Sequence, residues 1–285
     1  MKLPPIEYAA PASVAEAVAL LASRRGAAKA ISGGQSLMPA MAYRLATPSL
    51  LVDLRRIAGL DGIEIGADGV RLGARVRWRD IEASEALRKA HPLVVAATAH
   101  VAHYAIRNRG TVGGSLAHAD PAAELPGIAV TCEAQIVIAG AKGERVVPAG
   151  KFFLGALSTA LAEDELIVAV CLPAWRAGRR WGFEEFARRR GDFALAGIAA
   201  YYDLDAGARA ANAHIGVIGA CRCPHRIAAA EAALNGRAVN ALAIQDAVRA
   251  AVSALDPAGD LHGSADYRRA LAGTMLERAL AQAGK

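Results

Sequence analysis

The sequence predicts an α+β protein of three packed units, and three observations carry that reading. A chain of 285 residues exceeds the ~100–200 residues of an ordinary single domain. The hydrophobic period changes at Ile57, from helix and strand runs to strict alternation. A Pro-, Gly- and Arg-containing stretch over 173–180 has no periodicity and reads as a linker. The units are then 1–56, 57–175 and 176–285, the last a three-stranded antiparallel sheet with helices.

In the first unit, residues 6–8 read as a short strand. Ser13 and Glu16 make a capping-box pattern, whose hydroxyl and carboxylate satisfy free N–H groups at a helix start. The helix should run to Arg25, with Val14, Val18 and Leu21 on one face and Gly26 as its stop. Residues 29–31 form a strand ending in Gly33-Gly34. Pro39 suits the first turn of a short helix over 41–45, and "LLVDL" at 50–54 is a buried strand. In the second unit, "IEIGADGVRLGARV" alternates around Asp68-Gly69, a hairpin signal. Helices are expected over 78–90 and 92–103, and strands over 134–139, 145–147 and 166–172. In the third, strands over 181–187, 194–204 and 211–218 precede helices over 226–235, 241–255 and 267–283.

Composition narrows the function. With 54% hydrophobic and 21% charged residues, the chain is that of a globular protein. No apolar run reaches the ~18–20 residues of a membrane span, and "MKLPPIEYAA" lacks the apolar core of a signal peptide. These features lead to the expectation of a soluble, cytoplasmic chain. The net charge of +6 comes mostly from arginines scattered among acids, without the aromatic-interleaved basic motif of a nucleic-acid reader. An anionic cofactor or an acidic partner surface is the better use for it. Cys132, Cys171, Cys221 and Cys223 contain one close pair, C-x-C; they read as reduced thiols and not as a metal site.

The chemistry lies in two glycine pairs, "ISGGQSLMPA" at 31–40 and "TVGGSLAHADPAAELP" at 111–126. Glycine allows positive φ and close backbone approach to a ligand, and successive N–H groups make an anion nest. Ser36, Thr111 and Ser115 add hydroxyls. Two such loops can close on one diphosphate, which suits a dinucleotide. Neither is a P-loop or a G-x-G-x-x-G turn. Asp120 and Glu124 offer carboxylates to sugar or ribityl hydroxyls; Glu124 equally fits a first-turn acid stabilised by the helix dipole.

Together "SGGQSLMP" (32–39), "RLATPSLLVDL" (44–54), "IRNRGTVGGSLAHADPAAELP" (106–126) and "RRRGDFALA" (188–196) resemble the FAD-binding medium subunits of molybdenum hydroxylases. The likeness is nearest to the carbon monoxide dehydrogenase group, with the xanthine dehydrogenase flavin domain more distant. It covers essentially the whole chain. The resemblance implies a vanillyl-alcohol-oxidase (PCMH)-type FAD-binding fold of two α+β subdomains plus the C-terminal domain. It implies that Ser32, Gly33, Gly34, Gln35 and Ser36, with Leu37 beside them, and Thr111, Val112, Gly113, Gly114 and Ser115 hold the FAD diphosphate. Asp120 and Glu124 would meet ribityl or ribose hydroxyls, and Ala102, Leu161 and Leu166 would touch the adenosine or the ring. It also implies a large molybdopterin-cofactor subunit, a small subunit with [2Fe-2S] clusters, a dimer of heterotrimers, and an external electron acceptor.

The chain departs from the pattern in places. Phe193 stands where carbon monoxide dehydrogenases have a tyrosine near the flavin, and Gln35 replaces a histidine. There is no inserted cysteine cluster of the kind found in the 4-hydroxybenzoyl-CoA reductase flavin subunit, so electrons should arrive from another chain. Arg188-Arg189-Arg190 fits a solvated hairpin, a flavin wall or a docking element. His100, His103 and His118 surround the second loop, either as structural residues or as donors. No residue has the setting of an essential acid, base or nucleophile, as expected where the cofactor carries the chemistry. A self-contained flavin oxidase or reductase of the same fold is the competing enzyme reading, and a binding protein for nucleic acid or nucleotide, motivated by the basic charge alone, the non-enzymatic one.

Overall fold

The computed structural model describes residues 3–284. Its first layer is a three-stranded parallel sheet of β1 (Glu7–Ala9), β2 (Ala28–Ile31) and β3 (Leu50–Asp53), in the order β1-β3-β2. Helix α1 (Val14–Ser23) crosses from β1 to β2 and buries Ala17, Val18 and Leu21 on it. Ser13 Oγ caps α1 by accepting from Glu16 N–H, while the Glu16 carboxylate accepts from Ala12 N–H. Helix α2 (Leu37–Ala42) starts directly after the first glycine pair, four residues earlier than the sequence suggested. Pro39 sits in its first turn, where a missing N–H costs nothing.

The second layer is an antiparallel sheet of β4 (Ile63–Gly66), β5 (Gly69–Gly73), β6 (Gln135–Gly140), β7 (Gly143–Pro148) and a later strand, β10 (Leu166–Pro173). Its order is β4-β5-β10-β6-β7, and β8 (Phe153–Gly155) and β9 (Ser158–Thr159) form a small ribbon beside it. The continuous apolar run of β10 reflects burial on both faces: Leu166 and Val168 meet the cluster under α1, and Ile167 and Val170 the larger core. Between β5 and β6 come α3 (Trp78–Ala83), α4 (Glu85–Ala90), α5 (Pro92–Thr98), α6 (Tyr104–Arg107), α7 (Val112–His118) and α8 (Glu124–Thr131); α9 (Ala149–Phe152) follows β7. The two long helices expected over 78–90 and 92–103 are thus three short ones, α3, α4 and α5. Ser84 breaks the first by capping Leu87 N–H, and the second stops at Thr98, ahead of left-handed Ala102 (φ 43°).

The third layer is an antiparallel sheet of β11 (Arg180–Phe186), β12 (Ala196–Leu204) and β13 (Ala210–Ile218), with a two-residue fourth strand, β14 (His225–Arg226). Helices α10 (Ala228–Leu234), α11 (Ala241–Ala254) and α12 (Ala265–Ala283) cover one face. A Cβ on Gly182 would lie 2.0 Å from Ala279 O, so α12 rests on the β11 backbone. The other face packs on α8, where Cβ atoms on Gly127 and Gly216 would collide with Ile218 and Thr131. The sheet is therefore not detached: Phe183, Ala199, Tyr201 and Ile218 share one core with Leu93, Leu116 and Ile128.

Residues 174–179 have no regular structure but are pinned. Arg179 donates to both oxygens of Asp203 at 2.9 and 3.0 Å and lies 4.3 Å from the Tyr201 ring centroid. Asp203 is 3% exposed. Burial pushes its carboxyl up, but the hydrogen bonds and charge of Arg179 outweigh this and hold it below the usual carboxylate range. Breaking a buried pair costs about 3–5 kcal/mol. Arg179→Met should lie near the lower end, because Arg176 and Asn212 stay within 3.6 and 3.4 Å of Asp203. Urea melts at neutral pH check this. The loss should fade as pH falls through the acid range, where Asp203 protonates and the pair no longer stabilises the fold.

Candidate functional site

The loops of the three layers enclose one cavity of about 1200 Å³. One wall is the first glycine segment. Gly34 takes φ +72°, and Ser36, the residue before α2, is right-handed at φ −106°, ψ −44°. Left- and right-handed backbone so close together is the kind of turn from which anion nests are built. The N–H groups of residues 33–37 donate to no described residue, and the Gln35 amide closes the turn onto Gly33 O at 2.9 Å. Gly33 is required for a different reason: a Cβ there would lie 2.2 Å from Arg109 O. That contact presses the first loop against the segment leading into the second.

The second glycine pair behaves differently from the nest expected of it. It is the first turn of α7, and its φ angles are not positive. Val112 and Gly113 N–H groups donate to Val76 and Ala74 carbonyls at 3.0 and 2.8 Å, and Gly114 N–H to Thr111 Oγ1 at 3.3 Å. Gly113 is glycine because a Cβ would lie 2.6 Å from Ala74 Cβ. At Gly114 a Cβ would meet only Thr111 Oγ1, at 3.0 Å, and otherwise stand in the cavity.

Beyond α7, Asp120 Oδ1 accepts from Ala122 N–H at 2.9 Å, and Glu124, the first residue of α8, lines the cavity while only 7% exposed. Burial, reinforced by the Asp120 charge, pushes the Glu124 carboxyl up to about 7. The opposite wall comes from the C-terminal layer. Gly191 (φ +90°) abuts the Ala102 carbonyl, and Arg107 fixes that carbonyl from below with a 3.0 Å hydrogen bond. Arg268 is buried with Nη1 on Leu195 O at 3.0 Å and Nη2 on Asp260 at 2.7 Å, and its Nε has no partner.

Of the residues proposed from sequence, Ser32, Gly33, Gly34, Gln35, Ser36, Leu37, Ala102, Thr111, Gly114, Ser115, Asp120, Glu124 and Phe193 line this cavity. Val112, Gly113, Leu161 and Leu166 do not. Val112 and Leu166 are core residues at 0% and 5% exposure, Gly113 is spent on Ala74, and Leu161 packs on the core cluster with its N–H on Thr159 Oγ1. The sequence reading missed Lys29, Asp260, His262 and Arg268, all in the wall. "DPAGDLHGS" at 256–264 was the available signal, a turn-rich segment between two helices.

Known proteins match along the full chain. The model of the FAD binding domain in molybdopterin dehydrogenase matches residues 4–175, and that of the CO dehydrogenase flavoprotein C-terminal domain residues 181–283. The nicotine 6-hydroxylase medium subunit of Paenarthrobacter nicotinovorans is 41% identical over 100% of this chain and 99% of its own. The carbon monoxide dehydrogenase medium chain of Hydrogenophaga pseudoflava is 39% identical over 97% and 96%. Among solved structures, carbon monoxide dehydrogenase from Hydrogenophaga pseudoflava superposes with TM-score 0.96 at 41% identity, covering 100% of this chain and 99% of that one. Quinoline 2-oxidoreductase from Pseudomonas putida 86 gives 0.94 at 38%, with the same coverage. A glycine-built cavity spanning three layers, and relatives of matching length and fold, place the chain in one family: it is an FAD-binding medium subunit of the molybdenum hydroxylases, an oxidoreductase component.

Proposed function

We propose that this chain relays electrons through FAD within a heterotrimeric molybdenum hydroxylase, assembled as a dimer of heterotrimers. A large subunit with the molybdopterin cofactor oxidises the substrate, a small subunit delivers electrons from its [2Fe-2S] clusters, and this chain hands them to an external acceptor. The observation that carries the reading is the set of unpaired N–H groups on residues 33–37, in the wall of a cavity large enough for a dinucleotide.

The residues present fit FAD. Unpaired N–H groups at 33–37 suit a diphosphate, and the open face of Gly114 leaves room beside them. The hydroxyls of Thr111 and Ser115 stand on the second wall, and Asp120 and Glu124 offer acceptors to ribityl or ribose hydroxyls. Phe193 presents an aromatic face without a hydroxyl. When bound, FAD supplies the exchange between one-electron and two-electron transfer; the chain binds, orients and shields it. Arg268 is held by two carbonyls and by Asp260, which balances its charge, and its buried Nε–H keeps a donor without a partner. Exposed apolar side chains also suit a partner: Phe193 in the cavity wall, and Tyr43, Leu45, Tyr104 and Leu261, are of the kind that protein contacts cover.

An absorption spectrum tests the assignment. The purified chain should carry one FAD, absorbing near ~450 nm, and should not turn over organic donors by itself. Turnover by the isolated chain would favour a self-contained flavoenzyme. Failure to bind FAD on reconstitution would remove the assignment.

A further inference from the structure

We propose that Glu124, backed by the buried acid Glu185 beneath the cofactor cavity, takes up one further proton from solvent when FAD bound there is reduced. The inference rests on the FAD reading given above. Its geometric basis is a cross-strand row on the C-terminal sheet. Glu185 pairs with Gly197, and Gly197 with Ile218, so the three lie side by side on one face. A Cβ on Gly197 would sit 3.4 Å from Glu185 Cγ and 3.3 Å from Ile218 Cβ. Ile218 in turn reaches Gly127 of α8 so closely that a Cβ there would lie 2.3 Å away. Gly127 is three residues from Glu124, on the same side of that helix. The row therefore brings the Glu185 carboxyl under the first turn of α8, behind the acid that faces the cavity.

Chemistry requires a proton here. Glu185 Oε2 is buried and has no hydrogen-bond partner, which is costly for a charged oxygen. Two like charges in such a place are not both ionised. Charged groups facing the pair from the packed elements are Asp120, in the turn before α8, and Arg107 of α6, itself paired with Glu82 at 2.9 Å; Gly197 and Ile218 are uncharged. Burial, with the Glu124 charge added, pushes Glu185 up to about 9, so near neutrality Glu185 holds the proton and Glu124 is poised to gain one. Reduction of FAD bound there, by two electrons from an iron–sulfur partner with one proton taken up on the ring, would leave one added negative charge in the cavity. That charge raises the proton affinity of the Glu124 carboxylate. One O–H bond forms there, its proton coming from solvent, and no other bond of the chain changes. Glu124 is the residue that meets the cofactor cavity, and Glu185 positions and biases it.

The FAD-loaded chain decides the matter by spectroelectrochemical titration between about pH 6 and about pH 9. Each proton taken up with two electrons adds about 30 mV per tenfold change in proton concentration. The unmodified protein should show one proton more, hence a slope steeper by about 30 mV per pH unit, than Glu124→Gln, whereas Glu185→Gln, a neutral mimic of the protonated acid, should keep the steeper slope. A reduced-minus-oxidised infrared spectrum of the unmodified protein should gain a protonated-carboxyl band that shifts in D2O. Equal slopes in the unmodified protein and Glu124→Gln, or no such band, would overturn the proposal, and the infrared arm stands even if a variant loses FAD. Bound FAD without the band refutes only this inference, whereas a chain that binds no FAD refutes the electron-transfer reading with it.

Discussion

Gly114→Val is expected to yield a folded protein without flavin, and Gly113→Val an unstable one. The two glycines are neighbours in one helical turn, yet different surroundings exclude a side chain at each. At Gly114 the added atoms project into the cavity and crowd only Thr111 Oγ1. Valine is accepted there by the fold and not by a dinucleotide. At Gly113 the new Cβ would start 2.6 Å from Ala74 Cβ and 2.9 Å from Ala74 O, which forces α7 off the strand extension that anchors it. Overpacking of this kind costs about 1–3 kcal/mol and more where backbone must move. Flavin absorbance per chain and thermal melts separate the two effects. A Gly114→Val protein with full flavin would refute the placement of the diphosphate beside α7.

Stability should fall by a few kcal/mol as the solution is made alkaline, and Glu185→Gln should remove most of that fall. Burial raises both Glu124 and Glu185 above the ordinary glutamate value, to about 7 and about 9. A carboxyl with a raised folded pKa binds its proton more tightly in the folded state. Its contribution is whole below the unfolded value of ~4.3 and is lost as pH rises through the folded value. The flavin-free chain should therefore lose stability steadily between the ordinary glutamate range and about 9. Glutamine keeps the shape and cannot ionise. Denaturant midpoints for both proteins across that range check this; parallel curves would mean that Glu185 is ionised throughout.

Sequence reasoning picked out two glycine segments that the fold brings into the wall of one cavity, but misjudged the physics of one. Glycine pairs are visible in any sequence, whereas the reason for each depends on what lies opposite. Gly33 answers to Arg109 and Gly113 to Ala74, contacts formed only after the chain has folded back. Strand periodicity carried β10, since a run apolar on both faces has few other uses. The helices over 78–90 and 92–103 were too long in prospect because Ser84 looks innocuous until it is seen capping α4, and no Gly or Pro marks Thr98 as the end of α5. Leu161 and Leu166 came from the family resemblance and not from chemistry, and the structure puts both outside the cavity wall. Glu185 was legible in part: "WGFEEF" read as a strand puts Phe183 and Glu185 on one face. That α8 would bury that face was not.

The central claim is that the cavity holds FAD which exchanges electrons with an iron–sulfur partner and not with an organic donor of its own. Anaerobic rapid mixing of the FAD-loaded chain with its pre-reduced [2Fe-2S] partner subunit tests this directly, followed at about 450 nm. The flavin should bleach within the mixing experiment and stay oxidised when candidate organic donors replace the partner. Bleaching by an organic donor alone, with no response to the reduced partner, would contradict the account.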